Sequence, residues 1–129
     1  MGDRMSQKIE TAPELVADAL RDALAELRRP LNGAGNGWKK GSAGTADSCK
    51  CLDAALYWVS RRGLEHERTA LSHALRSRVA EVIADIEGVD IPWSAAPLIW
   101  AWNDHEDRVF PEVEAVLERA IVLTEQVQA

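Results

Sequence analysis

The chain is expected to be all-α, a compact bundle of about five helices with one long glycine-rich loop over residues 30–47. Three observations carry that expectation. Aliphatic residues recur at three- and four-residue spacing in long stretches, which gathers them on one face of a helix. No stretch carries the apolar–polar alternation of a half-buried strand far enough to predict one. The periodic stretches also end at residues that stop helices, namely Pro30, Gly63 and Gly88.

Residues 1–10, MGDRMSQKIE, have no such pattern and are expected to form a disordered tail, leaving residues 11–129 as a single helical domain. The first helix is expected to begin at Thr11-Ala-Pro-Glu14, with Thr11 capping, Glu14 reaching back and Pro13 placed where no N–H is needed. Leu15, Val16, Ala19, Leu20, Ala23, Leu24 and Leu27 form its apolar stripe. Arg28 and Arg29 suit its negative end, and Pro30 closes it. The loop that follows holds Gly33, Gly35, Gly37, Gly41 and Gly44 around Trp38-Lys39-Lys40, and Trp38 is expected to pin it to the core.

A second helix is predicted from about residue 47 or 48 to Arg62, with Gly63 as its stop. A third runs from about residue 65 to Glu87, with Leu71, Leu75, Val79, Val82, Ile83 and Ile86 inward and Gly88 ending it. Residues 89–93 read as an extended connector. Ser94 can cap a short fourth helix through Trp102, which ends at Asn103-Asp104. Pro111 opens the fifth, whose apolar side carries Val113, Val116, Leu117, Ala120, Ile121 and Val127.

With 129 residues, 47% hydrophobic and 28% charged, the chain has apolar material for one core and too much for a disordered polymer. Fifteen basic against twenty-one acidic side chains give a formal charge of −6. That balance argues against nucleic acid and against an anionic membrane surface as partners. No apolar run approaches the roughly 18 residues of a membrane span, and the first residues lack the apolar core of a secretory signal. Cys49 and Cys51 are too close in sequence for an ordinary disulfide, which points to a reducing, cytoplasmic setting.

Three sets of residues could carry chemistry. Cys49-Lys50-Cys51 could contribute to a zinc site in an extended backbone, but two thiols inside a helix would point roughly 200° apart. His66, His73 and His105 are the remaining imidazoles, and no metal or cofactor is assigned. The same thiols, in the first turn of the second helix, would have a lowered pKa and could act as nucleophiles. His105 beside Asn103 and Asp104 is then the natural base. The third set is Trp100-Ala-Trp102-Asn103-Asp104, either a helix end locked by side-chain hydrogen bonds or a polar site for a ligand or partner. There Asn103 could take a left-handed turn, and Asp104 could cap or pair with Arg108. Five tryptophans, against one Tyr and one Phe, suit either core packing or interaction anchors.

Four short motifs in order, Gly37-Trp38-Lys39-Lys40-Gly41, Cys51-Leu-Asp-Ala54-Ala55-Leu56, Ile99-Trp-Ala101-Trp102-Asn103-Asp104, and Arg108 with Glu112-Val113, resemble a family of small actinobacterial and phage proteins known as domain of unknown function 6197. The similarity spans roughly residues 15 to 125. It implies that Trp38, Cys51, Ala55, Trp102, Asn103 and Asp104 are the positions to watch, and it implies no activity. The chain departs from the family in a short stretch between Trp38 and Cys51. It also has Val109 where a Thr usually follows the Arg, so the last helix is expected to lose a cap.

The functional expectation is a small non-catalytic binding or regulatory protein, phage- or mobile-element-encoded as the resemblance implies, acting through a protein partner. Its expected binding residues are Trp38, Trp100, Trp102, Asn103 and Asp104. Self-association through the first or fifth helix is a further expectation, from their broad apolar faces. The alternatives are a cysteine-dependent enzyme using Cys51 or Cys49 with the Asn103–His105 segment, and a zinc-stabilised module.

Overall fold

The computed structural model describes residues 11–41, 43–62 and 64–128, without the side chains of 127 and 128. The tail expected over 1–10, the Gly63 stop and the inward side chain of Val127 lie outside the described residues. Among those residues there are five α-helices and no strand: α1 Pro13–Leu27, α2 Leu52–Ser60, α3 Arg68–Glu87, α4 Ala95–Asn103 and α5 Phe110–Gln128. A 3₁₀ turn, Glu65–Glu67, leads into α3.

The aliphatic stripes meet in one apolar interior. Leu20, Leu27, Leu52, Leu56, Leu75, Val79, Ile83, Ile99, Val113 and Leu117 are all buried there, so every helix contributes. α1 lies along α5 and against α2, while α3 packs on α4, α2 and α5. The broad apolar faces of α1 and α5 are thus turned toward each other, with Leu15 and Val122 left exposed. Ion pairs Arg21–Glu125 and Arg28–Glu114 span the same seam at the surface. No described helix is long and apolar enough to cross a membrane.

Several boundaries differ from the sequence expectation for local reasons. Ala12, not Thr11, stands at the N-cap of α1, with no side-chain cap. Pro13 forces the residue before it into extended backbone, so the helix starts one residue later and the Thr11 hydroxyl is out of place. Leu15 belongs to the solvent side of α1 rather than its stripe. Ile86 is likewise exposed, because no element covers the last turn of α3 on that side. Gly88 does end α3, with a φ of 67° that favours glycine. Ser94 occupies the N-cap position of α4 but makes no side-chain cap bond. The missing Thr before α5 is offset by Glu112, whose carboxylate accepts from the Val109 N–H at 3.1 Å. That bond is the main reason the Glu112 carboxyl sits below its ordinary range, and Arg108 adds to it.

The largest boundary error is at α2, which begins at Leu52 and not near residue 47. Trp38 and Lys50 form an isolated parallel bridge. The Lys50 N–H donates to the Gly37 carbonyl at 2.8 Å, and the Lys39 N–H donates to the Lys50 carbonyl at 3.0 Å. Backbone groups engaged in this way are extended and cannot close helical turns.

Candidate functional site

The loop between α1 and α2 is tied down along most of its described length. The Asn32 side-chain oxygen accepts from the backbone of Ala34 and Asn36, and the Gly37 N–H donates to the Leu27 carbonyl at 2.8 Å. Gly37 runs so close to the end of α1 that a Cβ there would sit 2.9 Å from the Glu26 carbonyl oxygen. Lys50 is fully buried, an unusual place for an ammonium. Its Nζ donates to the carbonyls of Ala46 at 2.8 Å and Ser48 at 3.0 Å, with Glu26 at 3.6 Å. Burial raises the Glu26 carboxyl pKa. The Arg29 hydrogen bond and the charges of Lys50, Arg29 and Arg62 outweigh it, leaving the group below its ordinary range.

This loop meets α4 at Asn103, which is completely buried. Its Oδ1 accepts from the Trp38 indole N–H at 2.6 Å and from the Leu52 backbone N–H at 3.0 Å. Its Nδ2 donates to the Lys39 carbonyl at 3.2 Å and to Asp104 Oδ1 at 2.9 Å. The same Asp104 oxygen accepts from the Gly41 N–H at 2.9 Å. Asn103 thus joins the loop, the first turn of α2 and the end of α4. It does so in right-handed backbone, since no described non-glycine residue has a positive φ, which overturns the expected left-handed turn. The expected Asp104–Arg108 pair is also absent. Arg108 instead lies over the Trp102 ring, 3.8 Å from its centre, and donates to the Trp102 carbonyl at 2.8 Å. Trp102 is buried, and its indole N–H has no hydrogen-bond partner.

The other side of α4 carries a second polar attachment. Asp53 is nearly buried and accepts from Arg76 in bidentate fashion, at 2.7 and 2.9 Å, and from the Trp100 indole N–H at 2.9 Å. Together with Cys51, Tyr57, Trp58 and Asp104, these residues line a cleft of about 420 Å³. Trp38, Asn103 and Asp104 are therefore brought together at the loop attachment, Trp102 packs in the core beneath Arg108, and Trp100 lines the cleft together with Asp104.

The thiols are not where the sequence placed them. Cys51 is the N-cap of α2, and its Sγ accepts from the Ala54 N–H at 3.4 Å. Burial pushes the Cys51 pKa up, and the nearby carboxylates of Asp53 and Asp104 push the same way, against the Ala54 hydrogen bond. The position beside the helix start does not produce the lowered thiol pKa expected from the sequence. Cys49 precedes the helix, half-buried. His105 does not line the Cys51 cleft; it is exposed, and its Nδ1 accepts from the Asp107 N–H at 3.1 Å. Among the described residues, no group of three or more His, Cys, Asp or Glu side chains is arranged to hold a metal ion.

The surface feature that the sequence reading missed is Trp93. At 104% relative exposure it is fully open to solvent, although Trp normally buries a large area. It stands at the lip of a groove of about 730 Å³ that Tyr57, Arg61, Arg68, His73 and Arg76 also line. Tyr57 and Arg76 form the wall shared with the Cys51 cleft. Val89 and Ile91, four and two residues earlier, are about half-exposed. The available signal was Val89-Asp90-Ile91-Pro92-Trp93, an apolar residue at every second position in a connector with no sheet to join.

No curated protein and no solved structure matches the chain. The model of a family of unknown function, DUF6197, matches residues 11–123, which include the Asn103 attachment, the Cys51 cleft and the Trp93 groove, and the chain belongs to that family.

Proposed function

We propose that this protein is a small non-catalytic binding protein that works by docking a protein partner on the face formed by α2, the start of α3 and the start of α4. The observation that carries the reading is the fully exposed Trp93 at the lip of the groove. An indole left in water forgoes roughly 2–3 kcal/mol of burial free energy, and a partner that covers it recovers that amount. Tyr57, half-exposed across the groove, is a second anchor of the kind enriched at interfaces. Trp100 extends the same face beyond the shared wall. Trp38, Asn103 and Asp104 serve this surface through their hydrogen bonds, and Trp102 through its place in the core, by positioning α4, from which Trp93 is offset by only two residues.

Binding is favoured over cysteine catalysis by the surroundings of Cys51. Its thiol is held in the protonated form by burial, and no imidazole lines its cleft. The test is affinity purification of partners from the native host, with the wild-type chain beside Trp93→Ser. A partner recovered by the wild type and lost with the substituted chain supports docking at this face. Partners retained equally by both chains would sink it.

A further inference from the structure

We infer that the groove beside Trp93 takes an acidic segment of its protein partner, a stretch in which Asp or Glu side chains flank an apolar residue that packs on Trp93. The inference rests on the docking reading and adds the chemistry of the occupant. The chain as a whole carries a charge of −6, yet this groove has the opposite sign. Arg61, Arg68 and Arg76 line it, with His73 beside them, against the carboxylates of Glu65 and of Asp53 behind Arg76, so the arginines still outnumber the carboxylates by three to two.

Arg61 and Arg76 are each held by named neighbours before any partner arrives. Arg76 is clamped by Asp53 at 2.7 and 2.9 Å, and Asp53 is itself fixed by the Trp100 indole at 2.9 Å. Two of the five guanidinium N–H groups serve that clamp. The rest of the group remains at the wall common to the groove and the Cys51 cleft. Arg61 donates to the Tyr57 hydroxyl at 3.0 Å and lies 5.5 Å from the centre of its ring. Cations fixed by their own neighbours lose little side-chain entropy when they meet a carboxylate, and their planar forks match its geometry. A polyanion such as nucleic acid suits the groove less well. Its affinity needs many cations along a track, whereas here Glu65 interrupts the set and Asp53 already neutralises Arg76.

The test is selection of random peptides of about 16 residues, displayed on phage, against the immobilised full chain. The selected sequences are then synthesised with a fluorescent label and measured by anisotropy. The expected winners are rich in Asp and Glu around an aromatic or aliphatic residue. Their affinity falls by at least about tenfold for Trp93→Ser and for Arg61→Glu, and also when NaCl rises from about 50 to about 500 mM. Arg61 and Trp93 are both exposed, so neither substitution disturbs the core. Winners that need Trp93 but carry no acidic bias and ignore Arg61→Glu would overturn this inference and leave the docking reading standing. Winners indifferent to Trp93→Ser, or no enrichment at all, would overturn both. Tighter binding of a labelled single-stranded oligonucleotide than of any winner would also overturn the acidic-segment assignment.

Discussion

Replacing Asn103 by Ala should be one of the costliest single polar deletions among the described residues, and the cost can be worked out bond by bond. The Leu52 N–H is the first donor of α2, has no partner within its own helix, and belongs to a residue with no solvent exposure. Stranding it costs about 1–3 kcal/mol. The Trp38 indole N–H is half-buried, so water can reach it in part, and its loss adds about 1 kcal/mol. The void left by the amide adds about 1 kcal/mol more. Asp104 keeps its bond from Gly41 and is exposed, and the Lys39 carbonyl that loses a 3.2 Å bond belongs to a half-buried residue, so both add little. The total is about 3–5 kcal/mol, against the 5–15 kcal/mol of net stability typical of a domain. Urea unfolding followed by both far-ultraviolet circular dichroism and tryptophan fluorescence reads this directly, provided the slope with denaturant is unchanged. A double-mutant cycle with Trp38→Phe should return a coupling of about 0.5 kcal/mol or more, since that partner removes the same N–H. A loss under about 1 kcal/mol, with no coupling to Trp38, would refute the view that Asn103 holds the loop, α2 and α4 together.

Gly37→Ala should destabilise by about 1–3 kcal/mol, because the new Cβ meets the Glu26 and Arg29 carbonyl oxygens at 2.9 and 3.1 Å, while Gly33→Ala, with open space around it, should stay within about 0.5 kcal/mol by the same unfolding assay. Glu26 has a depressed pKa in the folded state, so its stabilising contribution is present above its unfolded pKa and lost as pH falls through the folded one. Unfolding midpoints should therefore drop below the ordinary Glu range in the wild type, and Glu26→Gln should flatten that slope. Iodoacetamide should modify Cys49 before Cys51, and the Cys51 rate should still be climbing above the ordinary thiol range, as read by mass spectrometry of peptides; a rate that levels off below neutral pH would restore a nucleophilic thiol. Trp93→Ser should leave the unfolding free energy within about 0.5 kcal/mol and remove the fluorescence component most accessible to acrylamide.

The all-α architecture was legible because its signal is periodic and local. The stripes Val16–Leu20–Leu27 and Val113–Leu117–Ile121 report a buried face without any knowledge of what covers it. The same local reading failed at Asp47–Cys51. There the deciding contact is the bridge to Gly37 and Lys39, more than ten residues back, and no helical periodicity contains it. The order of the motifs pointed to Asn103 and Trp38, but which atoms meet depends on how the loop folds back over α1. Asp53 and Arg76 went unnoticed as a pair because 23 residues separate them and each is an ordinary charged residue in sequence. Trp93 was passed over for the opposite reason. A tryptophan is read as core unless something says otherwise, and only the folded structure reveals one that no element covers.

The two polar attachments of α4 give the exposed groove its shape. Asn103 reaches the Leu52 N–H, and Trp100 reaches the Asp53 carboxylate, so consecutive residues at the start of α2 hold α4 from both sides. Apolar packing alone would allow a short nine-residue helix to rotate or slide at small cost. Hydrogen bonds from buried groups have narrow geometry, and leaving one unmade is expensive, so they select a single placement. That placement matters because Tyr57 rides on α2 and Trp93 lies two residues before α4. Fixing α4 on α2 therefore fixes the distance between the two aromatic anchors and keeps Arg76, clamped by the same Asp53, on the wall between them. Asn103, which the sequence marked as unusual, and Asp53 and the surface, which it did not, are on this reasoning parts of one device. The buried amide and carboxylate hold rigid a groove whose recognition is carried by Trp93, Tyr57 and the arginines.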